Sequence, residues 1–280
     1  IYSSEIGTHH PIASEATVVE GLRWSDPGLY DRLRQQCREL GISVAVPFVD
    51  GAVAVAARLH GLMPEVFAPT SSDALAEAMF DKVRAAAVFE AAGLPVPPTW
   101  RGGAVDAPLI AKPRHGSASK GIVLIDSDAD LAAIAAPDDY IIQRRFDRRE
   151  EISVDCYVSV LTGEPIAIVP RIRLEVAGGE AVRTKTITDD RAVELVRRTL
   201  AAVGLRGAVT VQLLRDLDSE ALYIMEINPR LGGGAVCAVH AGADLPGMIL
   251  DEARGIVPAP AAYRPGTEIA RYLQEVVFYN

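Results

Sequence analysis

The chain has few cysteines and none of the spacings that cysteine chemistry uses. Its 280 residues include three cysteines, Cys37, Cys156 and Cys237, which lie far apart. Disulfide frameworks and zinc sites need paired or closely spaced cysteines. We therefore expect three reduced thiols and a cytoplasmic protein.

Long apolar runs and an excess of positive charge are also lacking. No stretch is apolar and uncharged for long enough to cross a bilayer, and the N-terminus has no basic region followed by an apolar one. The net charge of −9 argues against nucleic acid or an anionic membrane as the main partner. No convincing Ser/His/Asp or Cys/His set suggests covalent catalysis. With 49% hydrophobic residues, the chain can instead bury a large core and bind small molecules.

The strongest chemical signal is residues 223–234, an apolar strand that ends in polar side chains and glycines. Side chains alternate along a strand, so Glu226 and Asn228 share one face, and Arg230 follows on that face if the chain stays extended. Carboxylate and amide oxygens suit Mg²⁺, which uses one or two carboxylates plus nucleotide phosphates. A guanidinium here can neutralise phosphoryl charge. Taken alone, the pattern also fits a solvated strand end before a glycine-rich turn.

A second strand, residues 207–214, can pair with the first as a hairpin across residues 215–220. Gln212 then stands beside Glu226 and adds a third oxygen ligand. This neighbour favours a metal site formed by Gln212, Glu226 and Asn228 over a solvated strand end.

With these residues the chain resembles the ATP-grasp superfamily, in particular its carbamoyl-phosphate-synthase-like and carboxylate–amine ligase branch. The similarity extends over about residues 42–243 and rests on several motifs in the family's order. It implies an α/β protein, α+β in its core, with a small N-terminal parallel α/β domain, a lid subdomain and an antiparallel core sheet. We expect the N-terminal domain to be residues 1–69 and the ATP-grasp domain residues 70–280. The lid subdomain is expected at about residues 98–143 of that domain.

Residues 1–69 alternate between strand and helix patterns, which predicts a small parallel sheet. We expect strands at 18–19, 42–47 and 66–69, and helices over 29–40 and from residue 50 through 59. The resemblance implies a further strand and helix at the start of this domain, and the chain begins at Ile1 without a methionine. Either the domain is incomplete or upstream residues were removed.

Two lysines and a loop are the expected phosphate contacts. The resemblance assigns this role to Lys82, inside a long helix predicted over 74–92, and to Lys112, at the end of a strand over 108–113. Gly116 to Gly121 is expected to be a flexible flap over the phosphates, with Ser117 and Ser119 among its contacts, since backbone amides and small hydroxyls bind anions. Without the resemblance, Lys82 would be a solvated helix charge and the loop an ordinary hairpin.

A strand over residues 140–143 leads into the hinge that holds adenine in this superfamily. The resemblance implies nucleotide contacts by Gln143, Arg145 and Phe146, and assigns the ribose hydroxyls to Glu151, with Glu150 as the alternative. Arg145 and Arg149 depart from the pattern, because relatives commonly carry an acidic residue at the hinge and a glycine before the ribose glutamate.

Candidate substrate contacts lie on the antiparallel strands predicted over 152–160, 165–173 and 174–185. Arg171, Arg173 and Arg183 are candidates for binding an acidic substrate, because arginine pairs bidentately with carboxylate. Gly233, in the glycine run, is expected to let backbone approach the substrate closely.

The resemblance implies a reaction that uses ATP and Mg²⁺ (or Mn²⁺). A carboxylate is activated as an acyl phosphate, with Arg230 as the catalytic residue, and is then coupled to an amine. Two alternatives remain open: phosphorylation of bicarbonate as in carbamoyl phosphate synthesis, and nucleotide binding without catalysis. The expected partners are a small-molecule carboxylate and amine, with neither nucleic acid nor membrane, and dimers are common in the family.

Overall fold

The computed structural model describes residues 1–7, 9–116 and 120–278. Ser117 and Ser119, two expected phosphate contacts, lie outside the described residues. Among the described residues, no helix has the length and apolar character needed to cross a membrane. Cys37, Cys156 and Cys237 are each buried and unpaired, as the sequence predicts.

The N-terminal segment contains two strands and two helices. Strands β1 (Tyr2–Glu5) and β2 (Thr17–Glu20) pair in parallel, and helices α1 (Leu29–Leu40) and α2 (Asp50–Leu62) follow. Helix α1 ends at Gly41 in the left-handed conformation, with φ of 64°, which confirms the predicted glycine stop. The strand predicted at 18–19 is confirmed, although both residues are half-buried instead of buried.

The strands predicted over 42–47 and 66–69 were too long. They reduce to one parallel bridge between Val44 and Phe67. The Ala45 amide donates to the Phe67 carbonyl at 2.8 Å, and the Phe67 amide donates to the Ser43 carbonyl at 2.9 Å. Each segment ends in a proline, Pro47 or Pro69, which has no amide to donate, so the ladder cannot continue there.

The long helix predicted over 74–92 is in fact two helices, α3 (Asp73–Phe80) and α4 (Lys82–Ala91). Asp81 between them is extended, with φ of −99° and ψ of 104°, and its carboxylate accepts hydrogen bonds from the amides of Val83 and Arg84. An aspartate that caps a new helix in this way competes with continuation of the old one. The break places Lys82 in the first turn of α4.

A three-stranded antiparallel sheet follows, with the order β4-β3-β5. Its strands are β3 (Leu109–Pro113), β4 (Val123–Ile125) and β5 (Tyr140–Arg144). The short helix α5 (Asp128–Ala132) begins after Ser127, whose side chain accepts a hydrogen bond from the Asp130 amide. One face packs around Ala111 and Ile142. The other face presents Ile110 and Lys112 to a cleft.

A six-stranded antiparallel sheet forms the centre of the molecule, in the order β10-β9-β6-β7-β8-β11. Its strands are β6 (Arg149–Val158), β7 (Pro165–Ala177), β8 (Glu180–Thr186), β9 (Gly207–Asp216), β10 (Leu222–Asn228) and β11 (Glu268–Ala270). Helices α6 (Asp190–Val203), α7 (Val236–His240) and α8 (Leu245–Ala253) pack against it. The sequence predicts a last strand near residues 269–277, and the structure forms only the three residues of β11 there.

The two faces of this sheet have different surroundings. On one face, Val154 and Val211 pack with Phe89 of α4 and Leu200 of α6 in the main core. On the other face, α7 and α8 cover one end, where Tyr157 is buried. The opposite end of that face is left open and forms the floor of the cleft.

Candidate active site

A cleft of about 720 Å³ is lined by the three-stranded sheet, the six-stranded sheet and the N-terminal segment. Most of the residues that the sequence predicts for a site come together here. They are Lys82, Lys112, Gly116, Arg145, Phe146, Glu151, Arg171, Arg173, Gln212, Glu226, Asn228, Arg230 and Gly233.

The three predicted oxygen ligands lie on adjacent positions of the β9–β10 ladder. Glu226 is directly opposite Gln212, and Asn228 is opposite Thr210. Directly paired side chains in an antiparallel sheet have Cβ atoms about 4.5–5.5 Å apart. The predicted hairpin is confirmed, and it brings Gln212 and Glu226 side by side.

A β-bulge decides which face of β10 these ligands occupy. The register shifts between Ile224 and Glu226, so that Tyr223 pairs with Leu214 and Glu226 pairs with Gln212. Leu214 and Gln212 are two positions apart on β9, so their partners Tyr223 and Glu226 share the cleft face. In an unbroken strand, Tyr223 and Glu226 would lie on opposite faces.

The donor set fits Mg²⁺ with a bound polyphosphate. Among the described residues, neither the Glu226 carboxylate nor the Gln212 amide has a hydrogen-bond or ion-pair partner, so both keep free oxygens toward the cleft. No cluster of three His, Cys, Asp or Glu that could hold a metal occurs in the described part of the chain. One carboxylate and two amides are too few for an all-protein cage, but Mg²⁺ usually takes its remaining ligands from water and phosphate.

Two lysines from different elements reach the same cleft. The Lys112 ammonium lies 3.4 Å from Oε1 of Gln143, and burial lowers the pKa of Lys112 although the charges of Glu226 and Glu151 oppose that shift. The Lys82 ammonium donates to the Gly116 carbonyl at 2.8 Å. The two cations therefore stand near the metal-type donors, as a polyphosphate ligand requires.

Two of the predicted flap and hinge residues lie off the cleft wall. Gly121 has φ of 72° and lies against Pro113, where a Cβ would be 3.0 Å from Cγ of that proline. Gln143 is buried behind Lys112, and its amide donates to the Pro97 carbonyl at 3.3 Å. The Gln143 side chain is thus engaged by Lys112 and Pro97, and it lines a small pocket together with Lys82, Lys112 and Glu226.

Of the predicted hinge residues, Phe146 offers an aromatic ring to the cleft, whereas the charge of Arg145 is used within the protein. Phe146 is buried and stacks on Tyr223, with ring centroids 5.0 Å apart and an interplanar angle of 27°. The Arg145 guanidinium is paired with Asp126 and Asp147, each at 2.8 Å, and the Arg145 amide donates to the Pro108 carbonyl. Those groups of Arg145 are therefore already engaged within the protein.

Strand alternation distinguishes between the two candidate ribose ligands. Glu151 lines the cleft and pairs with Arg173 at 2.8 Å. Glu150, the next residue on β6, points to the other face and pairs with Arg215 at 3.0 Å. Glu151 is the glutamate that a nucleotide in the cleft can reach.

The three candidate substrate arginines have different surroundings. Arg173 lines the cleft, bonded to Glu151 and to the Gly179 carbonyl at 2.7 Å. Arg171 is 3% exposed and pairs with the buried Asp155 at 2.7 Å, so its charge is already neutralised.

Arg183 lies elsewhere, which corrects its predicted place in the site. It alternates with the buried Thr184 on β8, pairs with Glu268 at 2.6 Å on the outer face, and is not part of the cleft wall.

Several cleft residues were not predicted. Trp24, Phe48, Val49 and Asp50 of the N-terminal segment line the cleft, and the Asp50 carboxylate accepts a hydrogen bond from Nε of Arg230. These two residues are 180 positions apart in the chain. Local patterns carry no signal for such a contact; the sequence shows Asp50 only as the first residue of a helix.

Comparison with known proteins gives one family match and many structural matches. A family model described as ATP-grasp in the biosynthetic pathway with Ter operon matches residues 138–275. No curated protein matches the chain.

Three of the similar solved structures are the biotin carboxylase domain of 2-oxoglutarate carboxylase from Hydrogenobacter thermophilus in complex with MgADP, ADP and bicarbonate, an L-amino acid ligase from Bacillus licheniformis, and N5-carboxyaminoimidazole synthetase from Staphylococcus aureus complexed with ADP. Their TM-scores are 0.70, 0.62 and 0.70, and their identities 17%, 17% and 18%. The matches cover 87%, 80% and 90% of this chain but 61%, 58% and 70% of those chains. This chain thus spans about three fifths to seven tenths of their length.

Proposed function

We propose that this chain, which has the ATP-grasp fold and resembles the carboxylate–amine ligases of that superfamily, is an ATP- and Mg²⁺-dependent ligase that joins a carboxylate to an amine. The observation that carries the proposal is the convergence of Gln212, Glu226 and Asn228 with two lysines in one cleft. Oxygen donors beside two ammonium groups that form no ion pair among the described residues match a magnesium–polyphosphate complex.

The cleft residues divide into three groups by what they do in this reaction. Gln212, Glu226 and Asn228 would hold Mg²⁺, which when bound supplies charge neutralisation at the phosphates. Lys82 and Lys112 bind the phosphates, and Phe146, which stacks on Tyr223, provides together with Glu151 the wall for the adenosine. Arg230 faces the same donors and stabilises the charge on the transferred phosphoryl group.

The proposed chemistry balances without a protein nucleophile. A carboxylate oxygen bonds to the γ-phosphorus of ATP as the bond to the bridging oxygen breaks, which releases ADP and leaves an acyl phosphate. The amine nitrogen then bonds to the acyl carbon, phosphate leaves with its oxygen, and a proton passes from nitrogen to solvent. Positioning and charge stabilisation are enough for both steps.

Bicarbonate is a second candidate for the acid. It is present in the structure of the similar biotin carboxylase domain named above. An acid panel that includes bicarbonate therefore separates the two reactions: a carboxylate–amine ligase releases ADP only with an organic acid and an amine, whereas bicarbonate alone suffices for the other.

The test is release of ADP and phosphate from Mg-ATP with that panel, for the native protein and for Glu226→Gln. We expect the variant to lose about a hundredfold or more in turnover, because a neutral amide holds Mg²⁺ weakly, while it stays folded. Glu194→Gln, at an exposed position on α6, is the matched control and should retain full activity. Equal turnover in native protein and Glu226→Gln would refute the metal assignment.

A further inference from the structure

Three large apolar side chains line the cleft without being covered. Trp24 is 58% exposed, Phe48 66% and Val49 53%, and all three belong to the cleft wall. Single exposed apolar side chains are common on protein surfaces. Several gathered in one concave site indicate a surface that binds an apolar group.

The position of Trp24 is determined by a glycine. Its indole ring lies on the backbone of Gly51, and a Cβ at that position would overlap the ring atoms. Gly51 is the second residue of α2, so the ring rests on the first turn of that helix. The ring is packed on one side against Gly51 and also lines the cleft.

A charged pair adjoins this apolar surface. Asp50 follows Val49 in the chain, and its Oδ1 accepts a hydrogen bond from Nε of Arg230. Its side chain is 31% exposed, and its second oxygen, Oδ2, has no partner among the described residues. Arg230 also donates to Oδ1 of Asn228 at 3.4 Å, which ties the pair to the metal-type donors.

We propose that this corner of the cleft binds an α-amino acid with a bulky apolar or aromatic side chain, as the carboxylate substrate. The inference rests on the proposed function, because Arg230 and Asn228 define where the reacting carboxylate lies. The α-ammonium group, one carbon away, then meets Oδ2 of Asp50. The side chain extends over Phe48 and Val49 to the Trp24 ring.

Trp24 itself provides a measurement of binding that does not need turnover. The chain has two tryptophans, and the other, Trp100, is half-buried in the core of the three-stranded sheet. In a Trp100→Phe background, emission and acrylamide quenching report on Trp24 alone. The ligands are L-phenylalanine, L-alanine and 3-phenylpropanoate, each with and without Mg²⁺ and a non-hydrolysable ATP analogue.

We expect L-phenylalanine to shift the Trp24 emission to the blue and protect it from acrylamide. L-alanine lacks the ring and 3-phenylpropanoate lacks the ammonium, so both should bind at least tenfold more weakly. Phe48→Ala should lower the affinity for L-phenylalanine about tenfold and leave the affinity for L-alanine unchanged. Asp50→Asn should lower the affinity for L-phenylalanine relative to that for 3-phenylpropanoate, because only L-phenylalanine has the ammonium group that meets Asp50. Leu161→Ala, an equally exposed apolar side chain outside the cleft, is the control and should change none of these affinities.

The outcomes separate this inference from the proposed function. The proposed substrate class would be contradicted by equal affinities for the three ligands, or by no change in Trp24 emission while another acid still supports ADP release. Either result would leave the proposed ligase function unaffected. If L-phenylalanine binds selectively but no amine supports ADP release, the amino acid subsite would be supported and the proposed ligase function would be contradicted. A Trp24 shift that depends on protein concentration and not on ligand would assign the patch to contact between copies, and would also overturn the inference.

Discussion

Asp81 and Arg114 connect the first turn of α4 to the end of strand β3. Nε and a terminal nitrogen of Arg114 lie 2.8 and 2.7 Å from Oδ2 of Asp81, and the Lys82 amide donates to the Arg114 carbonyl at 3.0 Å. Asp81 is 4% exposed and also caps α4. One carboxylate thus holds Lys82 beside the three-stranded sheet and the start of the predicted flap.

Replacing Asp81 with asparagine should destabilise the protein by about 1–3 kcal/mol, because the cap and the charged pair are both weakened. Urea unfolding measures this loss. Asp31→Asn changes a carboxylate that is 88% exposed on α1 and should stay within about 0.5 kcal/mol of the native protein. A loss no larger than that of Asp31→Asn would show that the connection contributes nothing to stability.

The same carboxylate predicts a dependence on pH. Burial raises the pKa of Asp81, but the hydrogen bonds from Arg114, Arg84 and Val83 and the charge of Arg114 outweigh it, so that the pKa is lowered. A lowered carboxyl pKa adds stability above its unfolded value, about 3.9, which is lost as the pH falls through the folded value. The stability difference between native protein and Asp81→Asn should therefore be constant above about pH 5 and shrink below about pH 4. Urea unfolding at several pH values checks this, and a difference that grows on acidification would contradict it.

Asp155 and Arg171 form a buried ion pair whose partners depend on each other. Asp155 also accepts from Thr210 at 3.1 Å, and Thr210 in turn accepts from the Gly232 amide at 2.9 Å. Asp155→Asn leaves a buried guanidinium without its counterion and should cost about 3–5 kcal/mol. The double variant Asp155→Asn with Arg171→Met removes the unpaired charge, so its loss should be well below the sum of the single losses. Additive losses in urea unfolding would show that the two side chains are independent.

Gly207 marks a close approach between the N-terminal segment and β9. Its φ is 73°, and a Cβ there would overlap the carbonyl of Pro69, which accepts the Ala208 amide at 3.1 Å. Gly207→Ala should therefore lower the free energy of unfolding, measured with urea, by about 2–4 kcal/mol, because it adds both backbone strain and steric overlap. Gly41 has a similar φ of 64° but nothing within 4 Å, so Gly41→Ala isolates the strain and should cost about 1 kcal/mol. Equal losses would mean that the chain shifts to accommodate the Cβ.

Local signals identify several helix ends correctly and fail where a longer-range contact intervenes. Ser127 and Asp189 begin helices, and Gly41 and Gly204 end them, because caps and left-handed glycines act within one turn. The prediction of one helix over 74–92 failed at Asp81. The carboxylate of Asp81 is held by Arg114, which is 33 residues away in the chain. Periodicity alone cannot show that an aspartate inside an apolar pattern will interrupt the helix.

The sequence alone was enough to predict the hairpin that carries Gln212, Glu226 and Asn228, because strand alternation and direct cross-strand pairing are local rules. It also predicted the strand that carries Lys112. The folded structure was needed to show that a bulge turns Glu226 to the same face as Tyr223 and that Asp155 pairs with Arg171. It alone brought Asp50 to Arg230 and the Trp24 ring to the cleft, since contacts between distant segments depend on how the elements pack and not on any period in the chain.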